Sequence, residues 1–125
     1  MGYVLIIGEG LDATSLDLAL CEAGFSCQLV SDAVKALVHA RRKTPDVILL
    51  DTEASGFDAV KHLGYRFSET RVPLLLLMPP EQADVINIGQ AAGFDGCLRK
   101  PANVDVVITL VREHLKTREE DRHAE

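Results

Sequence analysis

The stretch Pro45-Asp46-Val47-Ile48-Leu49-Leu50-Asp51 decides the fold. Val47 to Leu50 are apolar without polar alternation, the signature of a strand covered on both faces inside a parallel sheet. Similar runs lie on either side: Tyr3-Val4-Leu5-Ile6-Ile7, Ser26-Cys27-Gln28-Leu29-Val30, Pro73-Leu74-Leu75-Leu76-Leu77 and Gly96-Cys97-Leu98. The Tyr3 and Pro73 runs are also apolar on both faces. Five such runs predict five strands.

Segments of helical period separate them. Leu16, Ala19, Leu20 and Ala23 form one stripe, closed by Gly24. Val34, Leu37, Val38 and Arg41 follow the same period in a second segment, with Asp32 as its cap. A third is expected over about 57–67. A fourth starts at Pro80-Glu81 and ends at Gly93, and a fifth carries Val104, Val107, Ile108, Val111 and Leu115. Alternating strands and helices predict an open parallel sheet with right-handed crossovers and helices on both faces.

Composition agrees with one globular domain. The chain has 125 residues, 47% hydrophobic and 26% charged, enough to bury a core. A net charge of −6 with 5% aromatics and no Trp argues against nucleic-acid binding by this domain. The apolar runs are too short to cross a membrane, and the first residues lack a signal-peptide pattern. Cys21, Cys27 and Cys97 are an odd set without C-x-x-C spacing, which argues against a disulfide framework or structural zinc site and for a reducing, cytoplasmic setting. Cys21 and Cys27 are expected as small core residues, and Cys97 as apolar filler on a strand. The boundaries expected are a domain over 1–117 and a charged tail over 118–125, as a fraying helix end or a disordered segment.

In such a sheet the residues just after the strands form the site. Glu9, Asp51 and Lys100 follow the first, third and fifth runs. With strand order 2-1-3-4-5 they converge on one crevice. Two carboxylates and an ammonium suit Mg²⁺ and a phosphoryl group, and an aspartate can accept that group as an acyl phosphate.

At this point the chain resembles the receiver domain of two-component response regulators, the chemotaxis-regulator-like fold. The residues carrying the resemblance are Pro45 to Asp51, Gly56-Phe57-Asp58, Val72-Pro73, Ala92-Gly93-Phe94-Asp95 and Lys100-Pro101, in that order and spacing. The resemblance spans Tyr3 to about Leu115. It implies a flavodoxin-like α/β fold, a (βα)5 three-layer sandwich with a five-stranded parallel sheet of order 2-1-3-4-5. It further implies Asp51 as phosphoacceptor, Lys100 as the phosphate contact, and Glu9, Asp51 and the Glu53 carbonyl as Mg²⁺ ligands. The Lys100-Pro101 peptide falls where the family usually has a cis bond.

Four departures bear on function. Gly8 stands where the family has its first acid. Met78 stands where it has a hydroxyl that turns to the phosphoryl group, and Pro79 replaces the small residue that follows. Cys97 stands where it has an aromatic switch residue. A thioether has no O–H to donate. The expectation is a pseudo-receiver: weak Mg²⁺ binding, an impaired phosphorylation switch, no enzymatic activity, and signalling by protein contact. The resemblance implies a histidine kinase or an output domain as partner, and a homodimer face built from the fourth helix, fifth strand and fifth helix. One alternative is a receiver phosphorylated at Asp51 by a histidine kinase with Mg²⁺. Another is a dinucleotide-binding domain. For that, Gly8-Glu9-Gly10-Leu11-Asp12-Ala13 supplies G-x-G-x-x-A after a strand and Asp32 a ribose-binding acid. Such a domain leaves Asp51 and Lys100-Pro101 unexplained.

Overall fold

The computed structural model describes residues 2–51, 72–79, 95–99 and 103–123. In chain order these are β1 (Tyr3–Ile7), α1 (Leu11–Glu22), β2 (Ser26–Val30), α2 (Ala33–Arg42), β3 (Val47–Asp51), β4 (Leu74–Met78), β5 (Gly96–Arg99) and α3 (Val104–His123). The strands form one parallel sheet of order β2-β1-β3-β4-β5, the order expected. The helical segments expected over 57–67 and 80–93 lie outside the described residues. Helix α3 runs to His123, past the domain end expected at 117.

Side-chain alternation along the three central strands splits the core in two. Leu5, Ile7, Ile48, Leu50, Leu74, Leu76 and Met78 point to one face and pack with Ala36 of α2. Val4, Ile6, Val47, Leu49, Leu75 and Leu77 point to the other, against Leu16 and Leu20 of α1 and Val107 and Val111 of α3. This is why β1, β3 and β4 read as unbroken apolar runs.

Helix α2 seats on a different stripe from the one expected. Val34 is 72% exposed and Val38 47%. Ala36 is fully buried, and Leu37 and Ala40 pack beside it. The small side chains at i and i+4 let the helix approach the sheet closely and turn both valines outward.

Local signals set the helix ends. The Asp32 carboxylate accepts a hydrogen bond from Lys35 N at 2.9 Å, capping α2. Asn103 caps α3 by accepting from Asp105 N at 2.8 Å. Helix α1 ends in a Schellman turn: Phe25 N donates to Leu20 O and Gly24 N to Cys21 O, both at 3.1 Å, with Gly24 at φ 101°.

Two aspartates fasten the amino ends of the sheet in the same way. Asp46 accepts from Tyr3 N at 2.9 Å through its carboxylate and donates its own N–H to Tyr3 O at 2.8 Å. Asp95 does the same with Leu74, at 2.8 and 2.9 Å. Asp46→Ala leaves a partly buried amide without its acceptor and is expected to cost about 1–3 kcal/mol, whereas Asp46→Asn, which keeps a carbonyl oxygen, costs much less. Urea denaturation of both variants checks this.

Candidate functional site

The site lies at the carboxyl end of the sheet. Asp51 closes β3, pairs in register with Leu77 and is 3% exposed, the one buried charged residue among the described residues. Gly8 directly follows β1, and its N–H bonds Val30 O at 2.9 Å. A Cβ at Gly8 would stand 3.0 Å from Asp51 Cβ, 3.2 Å from Ala13 Cβ and 3.7 Å from Asp51 Oδ2. Gly8 therefore abuts the Asp51 carboxylate, and the lack of a side chain there lets α1 and β3 close up. Glu9 is next in the chain and exposed.

Met78 ends β4, one position beyond the Asp51–Leu77 pair. It is 2% exposed and belongs to the apolar cluster with Ile7, Leu50 and Leu76. Its thioether is thus part of the core. Cys97 pairs with Leu76 on β5, the outer strand, and is exposed rather than apolar filler. Partial burial of its sulfur still lifts its pKa above the ordinary thiol value, so it is a neutral thiol at pH 7 and not an activated thiolate. Glu53, Lys100 and Pro101 lie outside the described residues.

The described residues therefore bring Gly8 and Asp51 together, with Glu9 exposed beside them, while Met78 ends the neighbouring strand with its side chain in the core on the face shared by Leu50 and Leu76. The acid of the G-x-G-x-x-A reading, Asp32, spends its carboxylate on the Lys35 N–H. At the opposite end of the sheet, Cys21 is exposed and Cys27 half-buried, so neither is a fully buried core residue. Burial, the hydrogen bond with Cys21 and the charge nearby push the Cys27 thiol up to about 12. Among the described residues no helix is long and apolar enough to cross a membrane.

Known proteins of the same build are response regulators and receiver domains. No protein-family model matches the chain. The probable transcriptional regulatory protein TcrX of Mycobacterium tuberculosis is 30% identical over 117 residues, which are 90% of this chain and 49% of that protein. The chain thus spans about half the length of this curated relative. The chemotaxis protein CheY4 of Vibrio cholerae superposes with a TM-score of 0.78 at 25% identity, covering 90% of this chain and 98% of that one. The receiver domain of the sensor histidine kinase PA1611 of Pseudomonas aeruginosa PAO1, solved with magnesium in its active-site cleft, superposes with a TM-score of 0.78 at 21% identity. It covers 92% of this chain and 98% of that one. Its fold, and its likeness over nearly the whole chain, are those of the receiver domains of two-component response regulators.

Proposed function

We propose that this receiver domain is degenerate: it signals through protein–protein contact, and a phosphoryl group at Asp51 shifts its shape little. The burial of Met78 in the core carries this reading. A modification switches a protein only by biasing an element with two arrangements. In the family that element is a hydroxyl drawn to the phosphoryl oxygens. Here a thioether with no proton to donate is packed among Ile7, Leu50 and Leu76. Cys97, at the partner position, has no ring to swing.

The donor set for Mg²⁺ is one carboxylate short. Asp51 and Glu9 would hold the ion, with the Glu53 carbonyl as a further ligand, and Mg²⁺ often binds through one or two carboxylates plus water. The missing acid at Gly8 weakens that site. Bound there, Mg²⁺ would offset the charge of a phosphoryl group, with Lys100 as its second cation. We assign no enzymatic turnover to the domain.

For partners we assign a histidine kinase or an output domain. TcrX, about twice as long and named as a transcriptional regulatory protein, supports an output domain beyond a receiver of this size. Val104 and Val106 are exposed on α3, and Arg99 and Arg112 are exposed nearby in the sequence of β5 and α3. They support the homodimer face expected from the fourth helix, β5 and α3.

The test pairs wild type with Asp51→Asn. Both are incubated with acetyl phosphate and Mg²⁺, phosphoryl uptake is read by intact mass, and self-association by sedimentation. The expected result is the same association for both proteins with and without phosphodonor. An association that changes on phosphorylation in the wild type alone establishes the other reading, a working phosphoacceptor with an unusual readout.

A further inference from the structure

The geometry points to a second site, at the far end of the sheet from Asp51, that takes a thiophilic divalent cation of the zinc class on Asp17, Cys21 and Cys27. The Asp17 carboxylate and the two thiols lie within 4.8 Å of one another. Each ligand stands on a regular element. Asp17 and Cys21 are four apart on α1, so they share a face of the helix. Cys27 is the second residue of β2, paired with Val4 near the amino end of the sheet. The Schellman turn at Ala23-Gly24-Phe25 folds the chain back and carries Cys27 to the last turns of α1.

The chemistry of the set favours a cation. Two thiolate sulfurs and a carboxylate oxygen are zinc donors, each thiol giving up its proton to solvent as the metal binds, at about 2.3 Å for sulfur and about 2.0–2.2 Å for oxygen, which puts tetrahedral ligand atoms roughly 3.5–3.8 Å apart. The observed spread needs side-chain rotation of about an ångström. The Cys27 thiol lies 3.9 Å from Phe25 O, a weak contact that coordination would replace. Asp17 and Cys27 are half-buried and Cys21 is exposed. The fourth position therefore opens to solvent, where water would complete the shell. A disulfide between the two cysteines would leave Asp17 without a part. Cys97 takes no part either, because β5 and β2 are opposite edges of the sheet. Occupied, the site would tie α1 to edge strand β2. It is independent of phosphorylation at Asp51.

The test uses the full chain, reduced, with Co²⁺ as the probe. The expected result is one Co²⁺ per chain, with near-ultraviolet sulfur-to-cobalt charge transfer and the strong visible bands of a tetrahedral site, both bleached by Zn²⁺. Cys21→Ser and Cys27→Ser should each weaken binding by about tenfold or more and reduce the charge-transfer intensity. Asp17→Asn should weaken binding about as much but keep that intensity at saturation, and Cys97→Ser should change nothing. Asp17 and Cys21 reach the surface, so their variants are expected to fold, which circular dichroism checks. Three results would overturn the site: no charge-transfer band, a band lost with Cys97→Ser, or a Cys21–Cys27 disulfide in air together with no metal uptake after reduction.

Discussion

Gly8→Asp is expected to raise the affinity of the domain for Mg²⁺ by about tenfold while lowering its metal-free stability. Both effects come from one contact. A side chain at position 8 places its Cβ 3.0 Å from Asp51 Cβ and 3.2 Å from Ala13 Cβ, tighter than ordinary packing. Neighbours must give way, and overpacking of this kind costs about 1–3 kcal/mol. The new carboxylate also sits beside that of Asp51, and the like charges repel without a cation. With Mg²⁺ present the sign reverses. A carboxylate about 4 Å from a cation gains about 4 kcal/mol per unit charge at an effective dielectric of 20, and solvent and repulsion leave roughly the 1.4 kcal/mol of a tenfold change. Calorimetric Mg²⁺ titration and thermal melting with and without the ion read both halves. Equal affinity in the two proteins would mean that Gly8 is not the missing acid of the metal site.

Leu49→Ala is expected to be the most destabilising of these changes, by about 2–5 kcal/mol. Leu49 is fully buried at the centre of β3, in register with Ile6 on one side and Leu75 on the other. It packs in the cluster that joins the sheet to α1 and α3. Neighbours on rigid strands cannot collapse into the gap. Small domains have only about 5–15 kcal/mol in all, so the loss takes a large share of the total. Denaturant titration gives the value. A loss under about 1 kcal/mol would mean that this face of the sheet is loosely packed.

The strands were legible because burial on both faces leaves an unbroken apolar run, which β1, β3 and β4 show. Their ends were less so. β3 ends one residue beyond its apolar run, because Asp51 is taken into the sheet beside Leu77, and β4 begins and ends one residue later than the run from Pro73 to Leu77. The seating of α2 was misread, since hydrophobicity singled out Val34 and Val38 while size and approach distance favoured Ala36 and Ala40. The structural work of Asp46 and Asp95 was legible only as motif residues, because their reciprocal bonds join positions 43 and 21 residues apart.

At the site, Asp51 was placed by its position after a buried run, and Gly8 by contrast with the acid the family carries. How closely Gly8 meets Asp51 depends on the approach of β1 to β3, which no local pattern states. The cluster of Asp17, Cys21 and Cys27 was hidden for a related reason. Its ligands combine a helix spacing of four with a return across a turn into a strand, so they match no contiguous metal motif.

The most direct measurement is the change in backbone amide shifts when fluoroberyllate and Mg²⁺, together a mimic of the phosphoryl group, are added to the isotope-labelled chain. A degenerate switch predicts small changes confined to residues next to Asp51, such as Gly8 and Glu9. Large changes across β4 and α3 would contradict it, because they would show that a site with Met78 and Cys97 still moves as a switch.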